Sequence, residues 1–200
     1  MPRGRRKLRR PLGERPYRKL FLIAVEGVKT ERQYFAVFNQ LPPVIRVICP
    51  KSGHDSSPPQ VLMRKKKHLR EKEEELKSSD EAWLVVDKDE WTDEQLAQLH
   101  AWAQTCNNYH FALSNPKFEY WLLLHFEDST GGISSRECSA RLKHHLADYD
   151  KGIDPRRFTR ARIDDAIRRA RGRDTPSCPD WPRAPGSTTV YRLVDNILKA

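Results

Sequence analysis

The pattern of apolar and polar positions along the chain predicts strands that alternate with helices. Four short runs are mainly apolar and have the length of strands, as expected for strands that are covered on both faces. They span residues 19–25, 44–49, 82–87 and 109–114. Helical segments, most of ten or more residues, lie between these runs. This alternation is typical of βαβ units and therefore predicts a parallel sheet.

Polar residues and prolines indicate where several helices begin. Thr30 with Gln33, and Thr92 with Gln95, have the spacing of capping boxes. Pro116 suits the first position of a helix over residues 116–126. Further helices are predicted at 60–77, 93–105, 135–149, 155–171 and 187–198.

These elements predict an α/β fold with a Rossmann-like core. Its four-stranded, mainly parallel sheet is flanked by helices, and a C-terminal helical subdomain follows. Residues 1–18 are rich in Arg and Pro and are predicted to be a disordered basic arm. Residues 19–128 would form the α/β core, and residues 129–200 a basic helical region that packs on it.

Length and composition exclude several classes of protein. A chain of 200 residues can bury a core of ordinary size. The longest apolar runs are too short for a membrane span, and the basic N-terminus has no apolar segment of a secretory signal. The four scattered cysteines contain no Cys-x-x-Cys pair, so neither a disulfide framework nor a zinc site is predicted. A cytoplasmic protein is therefore the expectation.

The formal net charge of +10 is unevenly distributed along the chain. Residues 1–19 carry a net charge of +8, residues 20–134 one of −4, and residues 135–192 one of +6. An acidic middle between basic ends suits a metal site that faces a polyanion such as nucleic acid. The alternative is a basic tail on an otherwise unremarkable globular domain.

Carboxylates stand at the ends of two predicted strands. Glu26 follows the first strand, Asp87 ends the third, and Asp89 lies two residues further on. Ligands of parallel α/β sheets bind at the carboxyl ends of the strands. Three carboxylates gathered there would repel one another unless a cation bound them, and Mg²⁺ prefers oxygen ligands. The pattern favours a Mg²⁺ site for phosphoryl chemistry, with Mn²⁺ able to substitute; the alternative is a solvated acidic turn.

The same segments carry a resemblance to a known family. FLIAVEGVKTE (21–31) and WLVVDKDE (83–90) resemble the Toprim domain, which topoisomerases, bacterial primases, recombination-repair proteins and OLD-family nucleases share. SNPKFEYWLLLHF (114–126) is similar to the block that the RloB-type branch of Toprim proteins carries. The resemblance covers roughly residues 19–127. It implies a Toprim/Rossmann-like core, hydrolysis of DNA or RNA in bacterial phage defence, and an ABC-type ATPase partner.

The resemblance also assigns roles to individual residues. Glu26 matches the Toprim glutamate, a metal ligand or general acid/base, and Asp87 and Asp89 match the metal-binding pair. Lys29 lies at the start of the first helix, where it would assist by holding a phosphate or would simply be solvated. Glu119 lies in an otherwise apolar helix, where a site role competes with a structural salt bridge or cap. Neither a topoisomerase tyrosine nor a primase zinc module is matched, which disfavours strand passage and primer synthesis.

Basic residues of the C-terminal half are candidates for contacts with the nucleic-acid backbone. The candidates are Lys117, Arg156, Arg157, Arg160 and Arg168. The alternative is that Lys117 is merely exposed and that the arginines pair with Asp154, Asp164 and Asp165. The alternative function is a non-catalytic regulatory subunit of the ATPase that binds a nucleotide or nucleic acid. A small-molecule α/β enzyme lacks support, because no glycine-rich phosphate loop follows the first strand.

Overall fold

The fold is described from a computed structural model. It describes residues 19–27, 29–48, 76–89, 91–128, 132–147, 149 and 152–200. The predicted basic arm and nearly all of the helix predicted over residues 60–77 lie outside the described residues. Within the described ranges, no helix is both long and apolar enough to cross a membrane.

A five-stranded sheet forms the centre of the fold. Its strands are β1 (Leu20–Ala24), β2 (Val44–Ile48), β3 (Glu81–Asp87), β4 (Tyr109–Asn115) and β5 (Ser187–Thr188). Their order is β2-β1-β3-β4-β5. The first four strands are parallel, and β5 is antiparallel to β4. The predicted α/β class, with a Rossmann-like core and a mainly parallel sheet, is confirmed.

The fifth strand corrects the predicted count of four. Residues 187 and 188 were expected in the terminal helix, but Ser187 pairs with Asn115 and Thr188 with Ser114. The hydroxyl oxygens of Ser114 and Thr188 lie 2.8 Å apart. A strand of two residues is too short to show a period of two in the sequence, so its pairing depends on tertiary contacts.

Six α-helices surround the sheet in the described part of the chain. They are α1 (Thr30–Phe35), α2 (Asp93–Ala103), α3 (Phe118–Leu123), α4 (Ser135–His145), α5 (Arg160–Arg173) and α6 (Val190–Lys199). Short 3₁₀ segments follow α1 (Ala36–Gln40) and precede α5 (Pro155–Arg157).

Apolar side chains cover both faces of the sheet because successive strand residues point to opposite sides. Phe21 and Ile23 belong to a cluster that includes buried residues of α1, α3, α4, α5 and α6. Leu22 and Ala24 belong to a second cluster, which α2 closes together with Trp91 and Trp181. Described residues of the predicted core and of the predicted C-terminal region therefore share the first cluster.

Four predicted helix starts are wrong. The helices predicted from residues 155 and 187 begin at Arg160 and Val190, after a 3₁₀ segment and β5 respectively. α1 has Lys29 as its N-cap without a side-chain capping bond. The Gln33 side chain, expected to close the capping box, instead accepts a hydrogen bond from Ile153 N at 2.7 Å. α3 begins at Phe118 rather than at Pro116. By contrast, the capping box predicted for α2 is confirmed.

Candidate functional site

Carboxylates gather at the carboxyl edge of the sheet, where the sequence predicts a site. Glu26 follows β1, Asp87 ends β3, Asp89 lies in the next turn, and Glu119 is the second residue of α3, which follows β4. Since β1, β3 and β4 are parallel neighbours, their carboxyl ends meet at one edge. The structure thus brings together these four predicted site residues.

Main-chain hydrogen bonds fix the acidic turn that carries Asp89. Lys88 N donates to the carbonyl oxygens of Ser114 (2.9 Å) and Pro116 (3.0 Å). Asp89 N donates to Pro116 O at 3.2 Å. The segment between β4 and α3 therefore supports the turn after β3, and Pro116 serves the site by its carbonyl group instead of starting a helix.

Glu26 is held across the sheet edge by donors from the β3 segment. Its Oε2 accepts a hydrogen bond from Asp87 N at 3.3 Å, and its Oε1 accepts one from Trp91 Nε1. Trp91 is buried beside the acidic turn. Its indole N–H also positions the Glu26 carboxylate, a role that no sequence signal indicates.

Glu31 is a further carboxylate of this edge, and sequence reasoning missed it. It lies in the first turn of α1 and is only 6% exposed. Its Oε1 accepts a hydrogen bond from Gly27 N at 2.9 Å. A Cβ atom at Gly27 would overlap the Glu31 carboxylate, so a larger residue at this position would have to displace the Glu31 side chain. The available signal is the spacing of four between Gly27 and Glu31, directly after the first strand.

Asp87 lies at the electrostatic centre of these carboxylates. Burial raises the pKa of its carboxyl group well above the usual range, and the negative charges of Glu26, Glu31, Glu119 and Asp89 raise it further. Within the described part of the chain, no group donates a hydrogen bond to this carboxylate. An anion in such surroundings is stabilised by a cation.

The amino-terminal part of α4 contacts the other side of the site. Ser135 Oγ donates to Asp89 Oδ2 at 2.6 Å, and Lys117 Nζ donates to Ser139 Oγ at 2.7 Å. Lys117 is half-buried, whereas the alternative interpretation of the sequence predicts a merely exposed side chain. Lys29 is exposed at the start of α1, with its side chain beside Gly152.

Glu119 has a specific partner, as a carboxylate in an apolar helix requires. The hydroxyl of Tyr149 donates to Glu119 Oε1 at 2.8 Å. Burial raises the pKa of the Cys138 thiol to about 12, and the charge of Glu119 is the second cause of this shift. The thiol therefore stays protonated. The sequence did not indicate Tyr149, because it lies outside the regular elements and 30 residues from its partner.

The carboxylate oxygens of this site are ligands of the kind that a hard divalent cation prefers. The side chains are not gathered to ligand distances, however. Across the described residues, no group of three or more His, Cys, Asp or Glu side chains is placed so that it could hold a metal ion. Within that part of the chain no group donates a hydrogen bond to the Asp87 carboxylate, so a bound cation would stabilise this carboxylate most.

The candidate arginines form the ion pairs that the structural alternative predicts. The pairs are Arg156–Asp154 at 3.0 Å, Arg160–Asp164 at 3.0 Å and Arg168–Asp165 at 2.8 Å. Arg157 donates to the carbonyl oxygen of His145 at 2.8 Å. All four arginines are exposed, and exposed pairs of this kind are weak. Their contact with nucleic acid stays a prediction.

Comparison with known proteins gives one match. A protein-family model described as "RloB-like protein" matches residues 21–197, which extend from β1 to the last turns of α6. No curated protein and no solved structure matches the chain.

Proposed function

The chain belongs to the RloB-like protein family, and we propose that it is a Mg²⁺-dependent nuclease of the Toprim type. It would hydrolyse phosphodiester bonds of DNA or RNA in bacterial phage defence. The proposal includes an ABC-type ATPase as partner protein, on the resemblance stated above.

One observation carries the proposal: four other carboxylates surround Asp87 and, together with burial, raise its pKa. Such a concentration of negative charge is unfavourable, and it is relieved by protonation of Asp87 or by a bound cation. A nucleic-acid substrate is itself anionic and would not approach these carboxylates without a cation between them. Metal-assisted phosphate chemistry satisfies both requirements.

In this proposal Glu26, Asp87 and Asp89 hold the cation. When bound, a divalent ion neutralises charge on the phosphate and makes water a better nucleophile. Trp91 and the Asp87 amide keep Glu26 oriented toward the sheet edge. Lys29 and Lys117 bind phosphate oxygens. Glu119 accepts a proton from the attacking water at Oε2, since Tyr149 donates to its Oε1.

The test is cleavage of mixed DNA and RNA substrates by the purified chain with Mg²⁺ or Mn²⁺, with and without the protein encoded by its genomic neighbour. We expect Glu26→Gln and Asp87→Asn each to reduce the cleavage rate by about 100-fold or more, as loss of a preorganised charge does. Glu94→Gln is the matched control, because Glu94 is an exposed carboxylate of α2. If both site variants cut as well as the parent, the site assignment is wrong.

A second candidate function has one observation in its favour. In the part of the chain that the structure describes, the acidic side chains do not converge on a metal position. A non-catalytic regulatory subunit of the ATPase, which binds a nucleotide or nucleic acid, would need no such convergence. It predicts binding without cleavage under either metal, with or without the ATPase.

A further inference from the structure

A groove between α5 and α6 forms a second charged surface. Its volume is about 520 Å³. Four cations and two carboxylates line it: Arg160, Arg168, Arg171, Lys199, Asp164 and Asp195. The groove therefore has an excess of positive charge, in contrast to the acidic sheet edge.

The groove is distant from the carboxylate cluster. Asn196, one residue after Asp195 in α6, donates to Glu81 Oε2 at 3.1 Å. Glu81 is the first residue of β3 and Asp87 is the last of its seven residues. With a rise of about 3.3 Å per residue, the two ends of β3 are about 20 Å apart. The Asp195–Lys199 end of the groove thus lies near the opposite edge of the sheet from the predicted site.

Three of the cations form a stripe along α5. Arg160, Arg168 and Arg171 are eight and three residues apart, which places them on neighbouring positions of one helical face. With a rise of 1.5 Å per residue the stripe is about 16 Å long. One strand of a duplex presents a phosphate about every 3.4 Å along the axis, so this length spans about five phosphates. Guanidinium groups match phosphate oxygens in geometry.

The remaining lining fits a phosphate backbone better than a protein partner. The floor consists of Ile167 and Leu198, which already pack in the core. None of the lining residues is aromatic, so the groove offers neither the aromatic anchors of protein interfaces nor a platform for stacked bases. Asp195 binds Arg171 (2.8 Å) and Lys199 (2.7 Å), and such exposed pairs are weak enough for phosphate to compete with them.

We propose that this groove is a second contact surface for the sugar-phosphate backbone of nucleic acid, used without sequence recognition. The inference rests on the proposed function and narrows its substrate. A strand that reaches both the carboxylate cluster and the groove must extend at least about six base pairs, since 20 Å is about six steps of 3.4 Å. The substrate is therefore a polynucleotide rather than a nucleotide or a short fragment.

The test measures binding of the full chain to fluorescein-labelled duplexes of about 24 base pairs, one of DNA and one of RNA. Fluorescence anisotropy is followed from about 50 to about 200 mM salt, with EDTA present. We expect Arg168→Gln to weaken binding severalfold and to reduce the slope of log K against log salt by about 1. If the substitution weakens binding of the DNA duplex alone, the groove binds DNA. If it weakens binding of the RNA duplex alone, the groove binds RNA.

Arg183→Gln is the matched control. Arg183 also pairs with an aspartate three residues away, Asp180, at 2.8 Å. It lies over the ring of Trp181, in the cluster on the other face of the sheet. Both substitutions remove one positive charge and one ion pair, but only Arg168 lines the groove. Equal effects of the two substitutions on binding would overturn the proposal.

Asp195→Asn provides a change in the opposite direction. It removes a negative charge from the groove and releases Arg171 and Lys199, so we expect tighter binding and a steeper dependence on salt. If Asp195→Asn weakens binding as Arg168→Gln does, the charged residues of the groove have a structural role and the proposal fails. EDTA prevents metal-dependent cleavage, so this experiment measures binding alone. A chain without nuclease activity can still bind nucleic acid through the groove, and an active nuclease can lack this binding.

Discussion

His125 is a buried histidine at the junction of α1 and α3. It is 2% exposed, with Nδ1 3.0 Å from Trp121 O and Nε2 3.1 Å from the Tyr34 hydroxyl oxygen. Burial lowers the pKa of His125 to about 3, so the ring is neutral at ordinary pH. A carbonyl oxygen can only accept, so Nδ1 carries the proton and Tyr34 donates to Nε2. The residue is a satisfied core histidine.

This burial predicts a pH dependence of stability. In the unfolded chain a histidine has a pKa of about 6.5. Between pH 6.5 and pH 3 the unfolded state therefore binds a proton that the folded state does not. The contribution to the free energy of unfolding is complete above pH 6.5 and falls by up to about 1.4 kcal/mol per pH unit as the pH decreases.

We expect His125→Gln to make the loss of stability between pH 6.5 and pH 4 shallower than in the parent, whatever its effect at neutral pH. Denaturant unfolding at several pH values measures this slope. His144→Gln is the control, because His144 is exposed on α4. A slope that is the same in the parent and in the His125 variant would contradict the burial of His125 as a neutral ring.

The sequence predicted individual site residues where the chain direction alone determines their position. Glu26, Asp87 and Asp89 follow strand ends, and parallel strands end at a common edge. The sequence could not indicate that Trp91 donates to Glu26 or that Tyr149 donates to Glu119, because these contacts join residues 65 and 30 positions apart. Hydrogen-bond partners at such separations are decided by packing.

At the scale of elements, α4 connects helix capping with the site. Ser134 Oγ accepts from Glu137 N at 3.2 Å, and Ser134 N donates to Glu137 Oε2 at 2.9 Å, which completes a capping box. The helix that begins here places Ser135 beside Asp89 and Ser139 beside Lys117. The cap therefore supports both the helix and two contacts of the carboxylate edge.

Ser134→Ala removes the acceptor for the Glu137 amide and is expected to reduce the free energy of unfolding by about 1 kcal/mol. Ser134→Asp retains an acceptor oxygen at the N-cap and should preserve stability. Denaturant midpoints of the two variants and the parent measure the difference. Equal midpoints for the alanine and aspartate variants would show that the cap contributes nothing to stability.

Element boundaries were predictable where local chemistry had no competitor. The Thr92–Gln95 box formed as expected because both side chains are solvent-facing and local. The Thr30–Gln33 box did not form, since Gln33 binds Ile153 N, a partner 120 residues away. Likewise β5 depends on its pairing with β4, which no local pattern reveals.

At the scale of the whole molecule, α6 belongs to the same apolar cluster as the strands and the other helices of that face. Leu193 of α6 is fully buried in this cluster, whereas Leu198 is half-buried beside it. Leu193→Ala should reduce the free energy of unfolding by about 2–5 kcal/mol, the usual cost of a buried cavity. Leu198→Ala should cost less.

Tryptophan fluorescence and far-ultraviolet circular dichroism, followed through the same denaturant series, measure this effect and its cooperativity. We expect the two signals to change together for the parent and for both leucine variants. Separate transitions would mean that residues 129–200 unfold independently of the four parallel strands.

The position of Asp89 depends on main-chain atoms, namely the amides of residues 88 and 89 and the carbonyl groups of residues 114 and 116. Nearly every amino acid supplies these groups. Exchanging the Lys88 or Ser114 side chain therefore leaves the hydrogen bonds of the turn in place. The side chains at positions 88 and 114 can therefore change in evolution without displacing Asp89, and selection on substrate or partner can alter the surface beside the turn while its backbone stays in place.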